Sequence, residues 1–256
     1  MPGLGVLLRK ELLESWRTYR TAVVGGLFLF VGLSSPLLAK YLPEILKAAG
    51  GDQLGNLVIP TPTATDAVDQ LWKNLAQFGA FAAIILAMGA VSAEQDRGTA
   101  AFILSKTASR GAFLGAKAAS IAVLLGAATI LAVAVGWLYT AILFEPPPVA
   151  GWVGLAILAW LGILAWAAIA FLGSTVTGST AAAAGIGFMA LLILSVVAAV
   201  PSVGAYTPGG LAAPAVALAT GAPVDAAAVA TPVISTLVLI AVALAVSVWS
   251  FRRREL

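Results

Sequence analysis

The stretch AASIAVLLGAATILAVAVGWLYTAILF, residues 118–144, contains 27 consecutive residues without a charge. A helix needs roughly 20 apolar residues to cross a hydrocarbon core about 30 Å thick, where no water is available to bond its backbone groups. The stretch is long enough for one such crossing. It therefore predicts a transmembrane helix, and comparable uncharged stretches elsewhere define the remaining fold.

Three further stretches of 19 to 26 uncharged residues each predict one span. Another, from Pro146 to Val224, is too long for one helix, and its small polar segment GSTVTGST at 173–180 divides it into two. The sequence thus predicts an all-α membrane protein that forms one transmembrane domain over residues 1–256. The six expected spans lie at about 21–39, 74–93, 118–141, 152–172, 181–200 and 229–251.

The amino-acid composition argues against most classes of enzyme. The chain is 61% hydrophobic and 10% charged, against roughly 25% charged residues in soluble domains. It contains no Cys and no His, so disulfides, thiol nucleophiles, imidazole bases and the usual zinc ligands are absent. It also lacks the P-loop pattern GxxxxGK[ST] that cradles ATP phosphates. We therefore expect no catalytic, cofactor-binding or metal site in this chain.

The basic residues indicate the orientation of the spans. With the N-terminus in the cytoplasm, eleven of the 14 Lys and Arg residues lie inside, leaving Lys40, Lys47 and Lys73 outside. Cytoplasmic loops carry such an excess. The sequence predicts cytoplasmic N- and C-termini in a multi-pass protein of the cell inner (plasma) membrane. The net charge of +3 then reflects topology, and no nucleic acid partner is expected.

Residues 1–20 have the pattern of an amphipathic helix. Leu4, Leu8, Leu12 and Trp16 recur at helical spacing, while charged residues occupy another face. This predicts an interfacial elbow helix on the inner surface of the membrane. A generic basic anchor is the alternative.

Two extracytoplasmic segments are expected, at 40–73 and 201–228. The first contains Pro and Gly turns, and a helix starting near Thr65 or Asp66 is expected to run into the second span. The second is apolar but interrupted by four prolines, which favours short re-entrant helices before the last span. An ordinary outer loop is the alternative there.

The segment 94–117 is the main cytoplasmic loop and is rich in charge. Acidic and basic residues at its start precede the apolar patch 102–104, and Lys106, Arg110 and Lys117 follow. A surface helix with an apolar patch suits docking into the groove of a partner. The alternative is an ordinary basic cytoplasmic loop.

This loop resembles the one in permease subunits of type-2 ABC transporters. That family has an acidic residue, Gly-Thr, an apolar run, then Ser-Lys-Pro-x-Ser-Arg and a later Lys; here Thr107 replaces the proline. Further similarity is carried by Arg9-Lys10-Glu11-Leu12, Ser34-Ser35-Pro36-Leu37 and Pro208-Gly209-Gly210. The resemblance implies a permease that pairs with a second permease copy or homologue, as a homodimer or pseudo-twofold dimer, in the lipid bilayer.

The resemblance also implies a separate ATP-binding cassette ATPase subunit, which would bind the ATP. In the family, the leading helix and the first cytoplasmic loop receive the ATPase stroke, and an exporter is favoured. The residues that this implies for docking of the ATPase are Arg9, Lys10, Glu11, Glu94, Arg97, Gly98, Thr99, Lys106 and Arg110.

Two other classes of function remain open. An ATP-independent channel or secondary carrier is disfavoured because ion-coupled carriers usually need charges at membrane depth, and the span interiors contain none. A membrane enzyme is disfavoured because the Ser and Thr residues around 174–180 have no His or buried Asp beside them, so they suit helix packing. The uncharged spans suit an amphiphile, lipid-like molecule, peptide or drug better than a small ion.

Overall fold

The computed structural model describes residues 3–50, 61–96 and 109–253. Among the predicted docking residues, Arg97, Gly98, Thr99 and Lys106 lie outside this part of the chain, as does the apolar patch 102–104. The described residues form ten α-helices and one 3₁₀ helix, and they contain no strand. The α-helices are α1 Leu4–Arg17, α2 Arg20–Gly50, α3 Ala64–Met88, α4 Ser92–Asp96, α5 Arg110–Leu143, α6 Val149–Thr177, α7 Thr180–Ala198, α8 Pro201–Gly204, α9 Ala212–Thr220 and α10 Ala226–Arg253, and the 3₁₀ helix is Pro208–Leu211.

Six helical stretches are long and apolar enough to cross a membrane, which confirms the predicted all-α fold with six spans. α3 and α4 together count as one of these stretches, from Ala64 to Asp96. The six are Arg20–Ile45, Ala64–Asp96, Arg110–Leu143, Val149–Thr177, Thr180–Ala198 and Ala226–Arg253.

Local sequence fixes several helix ends. The Thr63 side chain accepts a hydrogen bond from the Asp66 amide while the Asp66 carboxylate accepts one from the Thr63 amide, a reciprocal cap that starts α3. Ser109 and Ser179 cap α5 and α7 through their hydroxyls. Helix α3 therefore begins close to the position expected from the sequence.

The division between α6 and α7 is narrower than predicted. Of the segment 173–180, residues 173–177 continue α6, and the turn consists only of Gly178 and Ser179. Thr177 donates its hydroxyl hydrogen to the Gly173 carbonyl, so a polar side chain is satisfied within the helix. Gly178 ends the helix because it adopts φ 67°, which glycine accommodates without steric cost.

Helix α6 is the centre of the bundle. It packs on α3, α5, α7, α9 and α10, and 56% of its most apolar window is buried, against 11% for α7 and 17% for α10. Small residues bring neighbouring helices together: a Cβ at Gly32 would lie 2.5 Å from the Ala132 carbonyl oxygen. The exposed faces of α7 and α10 are apolar, as lipid-facing helices are.

The two ends of the bundle differ in composition. One end, here called the charged end, brings together α1, α4, the start of α5 and the end of α10. The opposite end carries α8, which packs on α7, together with the 3₁₀ helix and α9, which pack on α6 and contain the buried residues Leu211 and Ala215. These broken helices before the last span agree with the sequence prediction, while their depth in a membrane stays a prediction.

Candidate functional site

A buried lysine lies at the centre of the charged end. Lys117 is in the second turn of α5, and its side chain is 5% exposed. Its Nζ lies 2.7 Å from Glu94 Oε1 and 3.3 Å from both carboxylate oxygens of Glu11. The ammonium also faces the Phe113 ring, 5.1 Å from its centroid. A buried ammonium is stable only when it is paired in this way, so Lys117 joins α1, α4 and α5.

A second lysine extends this ionic junction toward solvent. Lys10 Nζ lies 3.0 Å from Glu11, 2.9 Å from Glu14 and 3.4 Å from Glu94. Partial burial alone would lower the pKa of Lys10 and raise that of Glu14. The mutual hydrogen bond and the opposite charges outweigh burial, so the Lys10 pKa is raised and the Glu14 pKa is lowered. Both groups therefore remain charged at neutral pH. Together, Lys10, Glu11, Glu14, Glu94 and Lys117 are called the ionic junction.

Three carboxylates of the junction lie near enough to hold a cation. Oxygens of Glu11, Glu14 and Glu94 lie within 4.8 Å of one another. Lys10 and Lys117 already lie among these carboxylates. The negative charge of the three glutamates is therefore offset by two lysines of the same chain. The geometry thus describes an ion-paired brace.

Helix α6 holds the segment that carries Glu94. Helix α3 ends at Met88, and α4 begins at Ser92, so the intervening residues leave backbone amides without intrahelical partners. The Ser174 hydroxyl oxygen accepts hydrogen bonds from the Val91 amide, at 3.1 Å, and the Ser92 amide, at 3.0 Å. Ser174 is fully buried. It therefore fixes the direction in which α4 leaves the bundle.

Arg110 links α5 to the end of α10. Its guanidinium donates to the carbonyl oxygens of Phe251, at 3.1 Å, and Arg252, at 2.9 Å. One turn later, the Phe113 ring stacks on Phe251 with 5.8 Å between centroids. A cation at the last carbonyls of a helix is favourable because it complements the helix dipole. Arg110 thus has a structural role at the site where docking was predicted.

The structure brings together Lys10, Glu11 and Glu94 from the predicted docking set. Arg9 lies on the exposed side of α1 and makes no hydrogen bond or ion pair within the described chain. Sequence reasoning missed Lys117 and Ser174 as parts of the site. The available signal for Lys117 was its position directly before the longest single-span uncharged stretch, where an unpaired charge is costly.

Six helices long and apolar enough to cross a membrane, with an ion-paired end, describe a multi-pass membrane protein. The model of the family described as "ABC-2 family transporter protein" matches residues 6–256 of this chain. The chain therefore belongs to this family and is a membrane permease of the ABC transporter class. It is also similar to the uncharacterized transmembrane protein YxlG of Bacillus subtilis (strain 168), with 28% identity over 202 residues covering 77% of each chain.

Proposed function

We propose that this permease works in an exporter driven by a separate ATPase subunit, which binds ATP and docks at the charged end. The ionic junction is the observation that carries the proposal. It ties α1, α4 and α5 together, and α4 and α5 border the segment 97–108 from both sides. A force that the docked ATPase applies to that segment would be transmitted to α3 and α5 through the ion pairs of the junction.

The proposed orientation places the charged end in the cytoplasm. Most of the Lys and Arg residues that the structure describes lie at or beside this end, and cytoplasmic loops carry such an excess of basic residues. The proposed location is the cell inner membrane, with both termini inside. The transport core would consist of two permeases, this chain with a second copy or a homologue.

Arg9 offers a docking test that leaves the junction intact. We expect Arg9→Glu to weaken recovery of a P-loop ATPase with the tagged, gently extracted chain, because it reverses an exposed charge without breaking a described bond. The matched control is Glu44→Lys, an exposed reversal near the opposite end. Recovery is measured by protein identification and ATPase activity.

The outcomes separate the candidate functions. A stoichiometric ATPase that is lost with Arg9→Glu but kept with Glu44→Lys supports the proposed docking face. A chain that emerges alone in several mild detergents, without ATPase activity, contradicts the proposal and favours the channel or carrier. The mass of the extracted complex distinguishes two copies of this chain from a copy with a homologue.

Orientation can be tested separately because the chain has no Cys. Gly5→Cys lies at the charged end and Ala150→Cys at the opposite end, both at exposed positions. In intact cells, a membrane-impermeant maleimide should label only the Ala150→Cys variant. After the cells are lysed, it should label both variants. Labelling of Gly5→Cys in intact cells would reverse the proposed orientation.

The direction of transport needs a separate test. If the complex is an exporter, inside-out vesicles that contain it should take up cargo only when ATP is supplied.

A further inference from the structure

The turn between α1 and α2 contains a strained residue. Tyr19 has a φ of 58°, and within the described chain every other residue with a positive φ is a glycine. A bulky side chain rarely adopts this left-handed conformation, because its Cβ then crowds the backbone. Glycine would form the same turn without that cost. Such strain persists where another interaction compensates for it, so the Tyr19 side chain must gain stabilisation from a contact.

That contact is not made within the described chain. Tyr19 is 76% exposed, its ring packs on no other ring, and its hydroxyl makes no hydrogen bond. Trp16, three residues earlier, is 73% exposed. Both side chains have an apolar ring with a polar group at its edge, which suits the headgroup layer of a membrane. A lipid surface is therefore the environment in which these two exposed rings are stable.

The bundle uses the other side of α1. Leu8, Glu11 and Leu12 are half-buried, and Glu11 reaches Lys117 of α5. Helix α1 packs on α5 and α2 through this side, so two leucines of the stripe assigned to the membrane surface from the sequence face the bundle instead. The exposed side keeps a second set of large apolar side chains, which are Val6, Leu13 and Trp16.

The charge at the turn is positive. The two acidic residues of α1, Glu11 and Glu14, are paired with lysines of the ionic junction. Arg17 and Arg20 flank the turn at exposed positions and make no hydrogen bond or ion pair within the described chain. A guanidinium binds phosphate well, because its planar fork of N–H groups matches the phosphate oxygens. The turn therefore complements an anionic phosphate group.

We propose that Trp16, Arg17, Tyr19 and Arg20, here called the elbow surface, bind anionic phospholipid headgroups at the charged end. The two rings lie among the headgroups, and the two guanidiniums bind the lipid phosphates. Contact with lipid then offsets the strain at Tyr19. Arg9 lies about two turns earlier along α1, so lipid at the elbow surface leaves the proposed ATPase docking face accessible. The lipid binding does not depend on the proposed exporter.

The test measures which phospholipid collects at the elbow surface. Because the chain has no Cys, a fluorophore on Ala22→Cys, an exposed position in the first turn of α2, reports the lipids beside it. The full chain is reconstituted in phosphatidylcholine vesicles that contain spin-labelled phosphatidylglycerol or, in parallel, phosphatidylcholine with the same acyl-chain label. Quenching should show association of phosphatidylglycerol that is at least about fivefold stronger, as expected for basic residues at an anionic membrane surface.

Two double variants remove the same charge from the same end of the bundle. Arg17→Gln with Arg20→Gln should abolish the preference for phosphatidylglycerol. Arg252→Gln with Arg253→Gln neutralises two exposed arginines of α10 and should leave the preference unchanged. An equal loss in both double variants would overturn the proposal, because the general positive field of the charged end would then attract the lipid. If the first double variant does not fold, Arg17→Gln alone takes its place.

Tyr19→Gly tests the strained ring while keeping both arginines. Quenching by both spin-labelled lipids should fall, because the turn loses an anchor in the headgroup layer. The unfolding temperature in detergent without phospholipid should not fall, because glycine relieves the strain. A lower unfolding temperature there would show that the protein itself compensates for the strain and would contradict the proposal.

The remaining outcomes separate this proposal from the proposed function. Equal quenching of wild type by the two lipids overturns the elbow surface and leaves the exporter untouched. If Arg17→Gln with Arg20→Gln keeps the lipid preference but loses a recovered ATPase, the surface docks the ATPase and the lipid proposal is wrong. A lipid preference that depends on these arginines, without any recovered ATPase, supports the elbow surface and removes only the exporter.

Discussion

The ionic junction and the cleft of about 740 Å³ between α3, α6 and α7 differ in how their polar side chains are bonded. Lys117 is as buried as Trp72 and Trp166, and it has two carboxylate partners within 3.3 Å. The two indoles have none within the described chain. Burial alone therefore does not assign a role. A buried charge that is paired holds helices together, whereas the exposed Gln77 and Ser195 side chains of the cleft bond no neighbouring helix within the described chain.

Helix α3 connects these two regions. It lines the cleft with Trp72 and Gln77, and its continuation α4 carries Glu94 into the junction. The break at Gly89–Val91 between α3 and α4 is held by Ser174. Helices α3 and α4 thus connect the junction with the cleft, and Ser174 bonds the break between them.

Lys117→Met is expected to have the largest effect on stability. It leaves Glu11 and Glu94 side by side without their central cation, and breaking a buried pair costs about 3–5 kcal/mol. The unfolding temperature in detergent should fall strongly. Lys73→Met, which breaks the exposed pair with Asp69, is the matched control and should cost about 1 kcal/mol or less. Equal unfolding temperatures for the two variants would show that the junction is not a brace.

Ser174→Ala and Ser195→Ala compare two hydroxyl groups. The Ser174 hydroxyl bonds the break between α3 and α4, whereas the Ser195 hydroxyl lines the cleft. Ser174→Ala removes the acceptor for two backbone amides, which should cost about 1–3 kcal/mol. Ser195→Ala removes a hydroxyl that has no partner within the described chain and should leave the unfolding temperature unchanged. A larger loss for Ser195→Ala than for Ser174→Ala would contradict the difference drawn between the regions.

Arg110→Gln should have an intermediate effect. It removes the positive charge from the Phe251 and Arg252 carbonyls, with an expected cost of about 1 kcal/mol. Arg9→Gln is the matched neutralisation at an exposed position and should not change the unfolding temperature. Equal unfolding temperatures for Arg110→Gln and Arg9→Gln would show that the Arg110 hydrogen bonds do not stabilise the fold.

Lys10→Ala should have the smallest effect, about 0.2–1 kcal/mol, because its pairs are partly exposed. The Glu14 pKa is lowered from 4.5 in the folded chain, so the contribution of the pair is present above pH 4.5. It is lost as the pH falls through the folded pKa of Glu14. The difference in unfolding temperature between wild type and Lys10→Ala should therefore shrink below pH 4.5. A difference that grows on acidification would contradict this assignment.

The sequence by itself determined the six spanning helices, because a chain in lipid must satisfy its backbone internally and the uncharged stretches leave few alternatives. The resemblance of its short motifs to those of type-2 ABC permeases also grouped Lys10, Glu11 and Glu94 in one predicted docking set. Only the tertiary structure decided that Lys117 pairs with Glu11, 106 positions away, that Ser174 holds Val91, and that α3 and α7 diverge into a cleft. These features depend on how distant helices pack, and an uncharged span carries almost no polar signal from which that packing can be predicted.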